Sequence, residues 1–217
     1  MNQMQTDEQT DDQLQDFDCD QMTEPVFEWK KIGLFILIPV ILYFLISWIG
    51  GLDETYYLKA AEMIDNGCYG EGVEYFRKSA RMGGEEAYYA LGRCYLDGLG
   101  VQKDTLEGMR LIMKAVSEAY AEAQYFLALC HYYGLYVDID KELTVKYLKY
   151  ASRQKHPDAQ CALGVCYMNG EGVEKNVRKA YKCFIKAKKN GSTKADACIK
   201  SLVEQRSHLI AHRECRE

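Results

Sequence analysis

"LGRCYLDGLGV" occupies Leu91–Val101, and "LGVCYMNGEGV" occupies Leu163–Val173. Seven of the eleven letters coincide across a separation of 72 residues. Halfway between them, Leu127–Val137 reads "LALCHYYGLYV", a looser copy of the same phrase. The period reaches well beyond these letters. Ala87, Ala123, Ala159 and Ala195 are spaced by 36, as are Gly98, Gly134 and Gly170, and Ala115, Ala151 and Ala187. A fixed period of this length marks a structural unit built several times, because each unit must stack on its neighbour to bury its apolar face.

Each unit begins with a helical stretch, continues through a glycine-containing loop and ends in a second helical stretch. In the last full unit Val177, Ala180, Tyr181, Phe184 and Ala187 recur at steps of three and four, which is one apolar face of a helix. Asp104, Asp140 and Asn176 stand where an N-cap belongs, and Glu107 completes a capping-box spacing after Asp104. Gly98 and Gly170 are placed to end a first helix in the left-handed conformation, and Gly100 and Gly172 to turn the chain back. Tyr136 occupies the second loop-glycine position of the middle unit. A side chain disfavours left-handed geometry, so an altered middle loop is expected there. The G-x-G of these loops is no phosphate cradle, since the third glycine, the preceding strand and the lysine are missing.

The phrase resembles that of the Sel-1-like repeat family, relatives of the tetratricopeptide repeat. It is carried by Ala87, Leu91, Gly92, Tyr95, Gly98, Gly100, Val101, Asp104 and Ala115, with Gly108 at the family's second-helix alanine. It returns in Ala159, Leu163, Gly164, Tyr167, Gly170, Gly172, Val173, Asn176, Ala180 and Ala187. The middle unit departs at Ala128, His131 and Tyr136. The likeness covers about 57–205, with a shorter tetratricopeptide-type hairpin before it and a capping helix from Ala195 to about Arg206. It implies an all-α, right-handed solenoid of about four hairpins, in a family made up mostly of protein-binding scaffolds.

Residues 32–49 read "IGLFILIPVILYFLISWI", without a charge and flanked by Trp29 and Trp48. A span of roughly 20 apolar residues crosses a membrane, so residues 32–51 are read as a transmembrane helix. The expected divisions are an acidic, disordered tail at 1–31, this helix, a repeat solenoid at 52–207 and a flexible tail at 208–217. Residues 1–31 hold nine acidic residues and two basic ones, Lys30 and Lys31. The two lysines place the N-terminus in the cytoplasm and the repeats outside it. The eight cysteines beyond the anchor favour the opposite alternative, repeats in a reducing compartment. The body after residue 31 carries 25 basic and 23 acidic residues, which excludes the dense basic surface that nucleic acid requires.

Cys94, Cys130 and Cys166 share one register position, which in the family is an apolar site within the hairpin; buried thiols are the preferred reading. A second reading pairs Cys166 with Cys183 across a hairpin. In disulfide-stapled family members the paired positions fall at Gln160 and Lys188, neither of them cysteine. His208, His212 and Cys215 have ligand-like spacing for zinc, but no fourth ligand is in view, so no metal or cofactor is assigned. Catalytic signatures are absent, and the chain is read as a non-enzyme.

In tetratricopeptide-type arrays the first helices line the concave face. By register that face carries Tyr57, Tyr89, Tyr125 and Cys161 in one row, and Ala61, Arg93, Leu129 and Val165 in a second. A third holds Leu96, Tyr132 and Met168, with Tyr133 beside it. Such rows suit a partner protein or peptide, with Arg93 and Asp97 fixing its orientation. The competing expectation is that the tyrosines pack between repeats. A different reading makes the acidic N-terminal tail the recognition element. Oligomeric state is not legible.

Overall fold

The computed structural model describes the backbone of residues 29–214 and the side chains of 38–41 and 51–204. Two units divide between Ser47 and Trp48. Helix α1 spans Trp29–Asp65 and contains Pro39. It is followed by α2 (Tyr69–Arg81), α3 (Glu85–Asp97), α4 (Thr105–Ser117), α5 (Ala121–Tyr133), α6 (Lys141–Arg153), α7 (Pro157–Asn169), α8 (Val177–Lys189) and α9 (Ala195–Glu214). No strand occurs among the described residues. Helix α9 runs through 208–214, part of the segment read as a tail, and the side chains beyond residue 204 lie outside the description. So do residues 1–28, which hold most of the expected disordered tail, and Cys215 of the zinc-like triplet.

Helices α2 to α8 are each 13 residues long, so the arms of a hairpin match and can stack along their whole length. The joint between the arms is set at both ends. Gly98, Gly134 and Gly170 terminate α3, α5 and α7 with φ of 74°, 72° and 81°. Their N–H groups donate to the carbonyls of Cys94, Cys130 and Cys166. At the far end the side chains of Asp104, Asp140 and Asn176 accept from the N–H groups of Glu107, Leu143 and Lys179 at 3.0, 2.8 and 2.9 Å. One further bond closes each loop: Asp104, Asp140 and Asn176 donate their own N–H to the carbonyls of Tyr95, His131 and Tyr167.

The middle loop corrects the expectation drawn from Tyr136. Its φ is 65°, against 70° for Gly100 and 64° for Gly172, so the loop keeps the common path. Both ends of this loop are fixed by the same bonds as the others, and these hold the tyrosine at positive φ. The side chain tolerates this because it points outward, half exposed. The turns between hairpins show a parallel case. Gly83, Ala119, Lys155 and Gly191 all take positive φ at one register, although only the outer two are glycine.

Inside a hairpin the arms approach closely where side chains are small. A Cβ on Gly92 would stand 2.8 Å from Ile112 and 2.9 Å from the Gly108 carbonyl, and one on Gly108 would meet Leu96 at 2.8 Å. In the last hairpin a Cβ on Gly164 would overlap the ring of Phe184, which is fully buried. The middle hairpin solves the same problem differently: Ala128 packs in one cluster with the smaller Leu148. Thr144 is buried there and donates its hydroxyl to the Asp140 carbonyl, which removes the penalty of hiding it.

Burial follows the chain rather than one centre. One cluster joins the end of α1 to α2 and α3 through Ala60, Phe76 and Leu91, and another joins α3, α4 and α5 through Leu96, Ile112 and Leu127. A third joins α5, α6 and α7, and the last joins α7, α8 and α9. This is the quasi-one-dimensional core of a solenoid. At α9 the register of Gly92, Ala128 and Gly164 is held by Lys200, an exposed residue.

Cys94, Cys130 and Cys166 are buried free thiols, as their register implies, and Cys183 packs beside the cluster of Cys166 as a free cysteine. The thiols in contact are a different pair, Cys161 and Cys198. Among the described residues no helix is long and apolar enough to cross a membrane. Most side chains of the apolar stretch 32–49 lie outside the description, so the expected span falls largely on residues of which nothing is said.

Two substitutions test this account of the joints. Gly164→Ala forces the Phe184 ring to move and should lower stability by roughly 1–3 kcal/mol in a denaturant titration. Adding Phe184→Leu recreates the Ala–Leu pairing of the middle hairpin, and the double variant should recover most of that loss. Tyr136→Gly relieves the left-handed tyrosine and should raise stability by about 1 kcal/mol in the same assay.

Candidate functional site

The register rows of the first helices do not form one continuous groove. They divide at the junctions between hairpins. At the junction of α3 and α5, Tyr89 packs edge-on to Phe126 with ring centroids 5.9 Å apart, and tilts against Tyr120 at 5.7 Å. The Arg93 guanidinium lies 5.1 Å above the Phe126 ring and also reaches the Tyr89 hydroxyl and Asp97, each at 3.3 Å. This space is filled. Arg93 and Asp97 are already engaged with each other, so orienting a partner would require displacing that exposed pair.

The next junction, between α5 and α7, repeats the register with different contents. Tyr125 replaces Tyr89, Leu129 replaces Arg93, and Ala162 stands where Phe126 did. The missing ring leaves a cleft of about 190 Å³ lined by Tyr125, Leu129, Tyr132, Tyr133, Ala162, Val165 and Cys166, with Thr144 and Leu148 beneath. Five of the expected surface residues therefore meet at one place: Tyr125, Leu129, Tyr132, Tyr133 and Val165. Register alone missed Ala162, because the feature it creates is the absence of a side chain.

The walls of the cleft are held in place by polar contacts. The Tyr125 ring lies 4.8 Å from that of His156. His156 caps α7 by accepting from the Ala159 N–H through Nδ1 at 3.1 Å, and its Nε2 meets the Glu122 carboxylate at 2.6 Å. On the opposite rim the Lys141 ammonium sits 3.2 Å from the centre of the Tyr132 ring and donates to the Tyr132 carbonyl at 3.0 Å. It also pairs with Glu171 at 3.7 Å. A hydrogen bond from Tyr132, with another from Asn169, holds the Glu171 carboxyl below its ordinary range. The same bond, with burial, pushes the Tyr132 phenol up to about 12. Burial, then the nearby charge of Asp158, pushes Tyr125 up to about 12. Both phenols stay protonated at neutral pH; the Tyr132 hydroxyl donates to Glu171. Tyr133 is the exposed member, 63 % accessible and edge-on to Tyr132 at 4.8 Å.

The remaining expected residues lie elsewhere. Leu96 is only 1 % exposed, enclosed with Met109, Ile112, Leu127 and Cys130, and Met168 is interior beside Phe184. Neither offers surface to a partner, whereas Tyr132, at the same register in the middle hairpin, is half-buried and lines the cleft. Tyr57 packs on Phe76 at 5.6 Å and borders a separate cleft that also includes Asp53, Glu54, Glu85 and Glu86. Burial and the Glu86 carboxylate raise the Tyr57 phenol. Cys166 in the main cleft is pushed up to about 11 by burial, which leaves it a poor nucleophile at neutral pH. Among the described residues no group of three or more His, Cys, Asp or Glu is arranged to hold a metal ion.

The repeat geometry agrees with comparisons to known proteins. The family model described as "Sel1 repeat" matches residues 69–84, 85–118, 121–156 and 157–192. The last three segments coincide with the hairpins α3–α4, α5–α6 and α7–α8, and the first with α2. A Sel1 repeat protein from Oxalobacter formigenes is similar at 28 % identity and a TM-score of 0.56, over 58 % of this chain and 95 % of that one. The protein c5321, a protective antigen of uropathogenic Escherichia coli displaying an SLR fold, is similar in fold at 24 % identity and a TM-score of 0.55. That likeness spans 69 % of this chain but only 34 % of the antigen. No curated protein matches the chain. Repeats of this kind generally mediate protein–protein interaction. With matched segments covering more than half of its length and falling on its hairpins, the chain belongs to the Sel1 repeat family.

Proposed function

We propose that this protein holds a partner protein near a membrane by taking an apolar side chain of a partner segment into the cleft between α5 and α7. The observation that carries this reading is the exchange of Phe126 for Ala162 at equivalent junctions. It opens an apolar space rimmed by Tyr125, Tyr132 and Tyr133. Aromatic residues around a partly desolvated pocket are the usual anchors of protein recognition. The proposal is non-catalytic: affinity comes from burying the partner's side chain against Leu129, Val165 and the Tyr125 ring. Tyr89 and Phe126 contribute by closing the neighbouring junction.

The membrane tether rests on the charge-free stretch 32–49, of which Ile38, Val40 and Ile41 are exposed apolar side chains. Lys30 and Lys31 beside it favour an N-terminus in the cytoplasm and the repeats outside.

Filling the cleft tests the binding reading. Peptides selected from a random library on the full chain in detergent micelles should share a large apolar residue. Ala162→Phe should weaken them by tenfold or more, about 1.4 kcal/mol, with the melting temperature little changed. Equal binding to wild type and Ala162→Phe would place recognition elsewhere. Topology has its own reporter in Cys68, an exposed cysteine of the array. A membrane-impermeant maleimide applied to intact cells should modify Cys68, as mapped by peptide mass. Modification only after lysis would put the repeats in the cytoplasm.

A further inference from the structure

The third junction, between α7 and α9, repeats the register once more. Its residues are Cys161, equivalent to Tyr89 and Tyr125, and Cys198, equivalent to Phe126 and Ala162. Their sulfurs are 3.1 Å apart, in contact although both are free cysteines. Both pack with Met168, Phe184, Ala195 and Leu202, where the terminal helix meets the last hairpin. The polar ties around the start of α9 are few. Lys188 pairs with Asp196 and Lys194 with Asp158 at exposed positions, and the Ser192 hydroxyl donates to Asp158. Ion pairs of that kind contribute little in water.

We propose that Cys161 and Cys198 are a site of reversible covalent modification, forming a disulfide that fastens the capping helix α9 to α7. A disulfide bond is about 2.05 Å long, and these sulfurs already stand 3.1 Å apart across two packed helices. The oxidant is a low-molecular-weight disulfide of the oxidised-glutathione class. Cys198 is the more accessible of the two, and its thiolate attacks one sulfur of the oxidant and expels a thiolate. Cys161 then loses its proton to solvent and attacks Sγ of Cys198, expelling the second. The protein ends with one S–S bond, two protons are released, and the oxidant, having taken two electrons, leaves as two thiolates. Burial, then the hydrogen bond with Cys198, pushes the Cys161 thiol up to about 12. The second step is therefore slow at neutral pH and faster in mild base. The bond would close a loop of 38 residues, Cys161 to Cys198, and fasten α9 to α7.

The experiment uses the full chain in detergent micelles, reduced, freed of reductant and titrated with oxidised glutathione. Free thiols are then trapped with a maleimide under denaturing conditions, and the cysteines are mapped by peptide mass. A linked peptide pair containing Cys161 and Cys198 is expected. The melting temperature should rise by roughly 5–10 °C, reversed by reductant. Cys198→Ser should lose both effects and Cys166→Ser should keep both. The proposal is overturned if glutathione remains attached to Cys198, if Cys166 and Cys183 form the link, or if both Cys161 and Cys198 remain open to the maleimide. The wild-type map decides this even where a variant folds poorly.

Discussion

Everything in the array depends on the joint between the two arms of a hairpin. A left-handed glycine ends the first arm, a capping Asp or Asn begins the second, and the loop between is closed by backbone bonds at both sides. A fixed joint brings the same two faces together in each unit, so Gly92 finds Ile112 and Gly164 finds Phe184 without a search through alternatives. Once the arms are set, the first helices must fall into rows, and junction chemistry can vary without disturbing the scaffold. Tyr136 shows how firmly the joint is held: the fold accepts a strained tyrosine rather than a different loop.

The three junctions are therefore variations at one site. Residues 37 apart occupy it each time: Tyr89 with Phe126, Tyr125 with Ala162, and Cys161 with Cys198. The first pair fills the space with rings, the second leaves a cleft, and the third brings two thiols into contact. A repeat protein can divide labour in this way because each junction is sampled by its neighbours alone.

Much of the fold was legible in the sequence because its determinants are local. The 36-residue period, the caps at Asp104, Asp140 and Asn176, and the helix-ending glycines depend only on neighbouring residues. The apolar character of the cysteine register was legible too. What escaped depends on elements far apart in the chain. Register places Leu96 and Met168 on a first helix but does not say how much of that helix the second arm covers, and both are interior. The cleft is a missing ring, which becomes visible only when Phe126 and Ala162 are compared across junctions. The same comparison would have directed attention from Cys166 and Cys183, within one hairpin, to Cys161 and Cys198, between two. Tyr136 was misjudged because intrinsic preference was weighed without loop closure.

The central claim is that the junction at Tyr125 and Ala162 is open where the junction at Tyr89 and Phe126 is full. Xenon enters apolar spaces without needing polar partners, so it reports such room directly. Methyl carbon NMR spectra recorded under increasing xenon pressure should show saturable shifts at Leu129, Ala162 and Val165, with Leu91 and Leu96 unmoved. Shifts of equal size on both sets of methyls, or none on the first, would contradict the account.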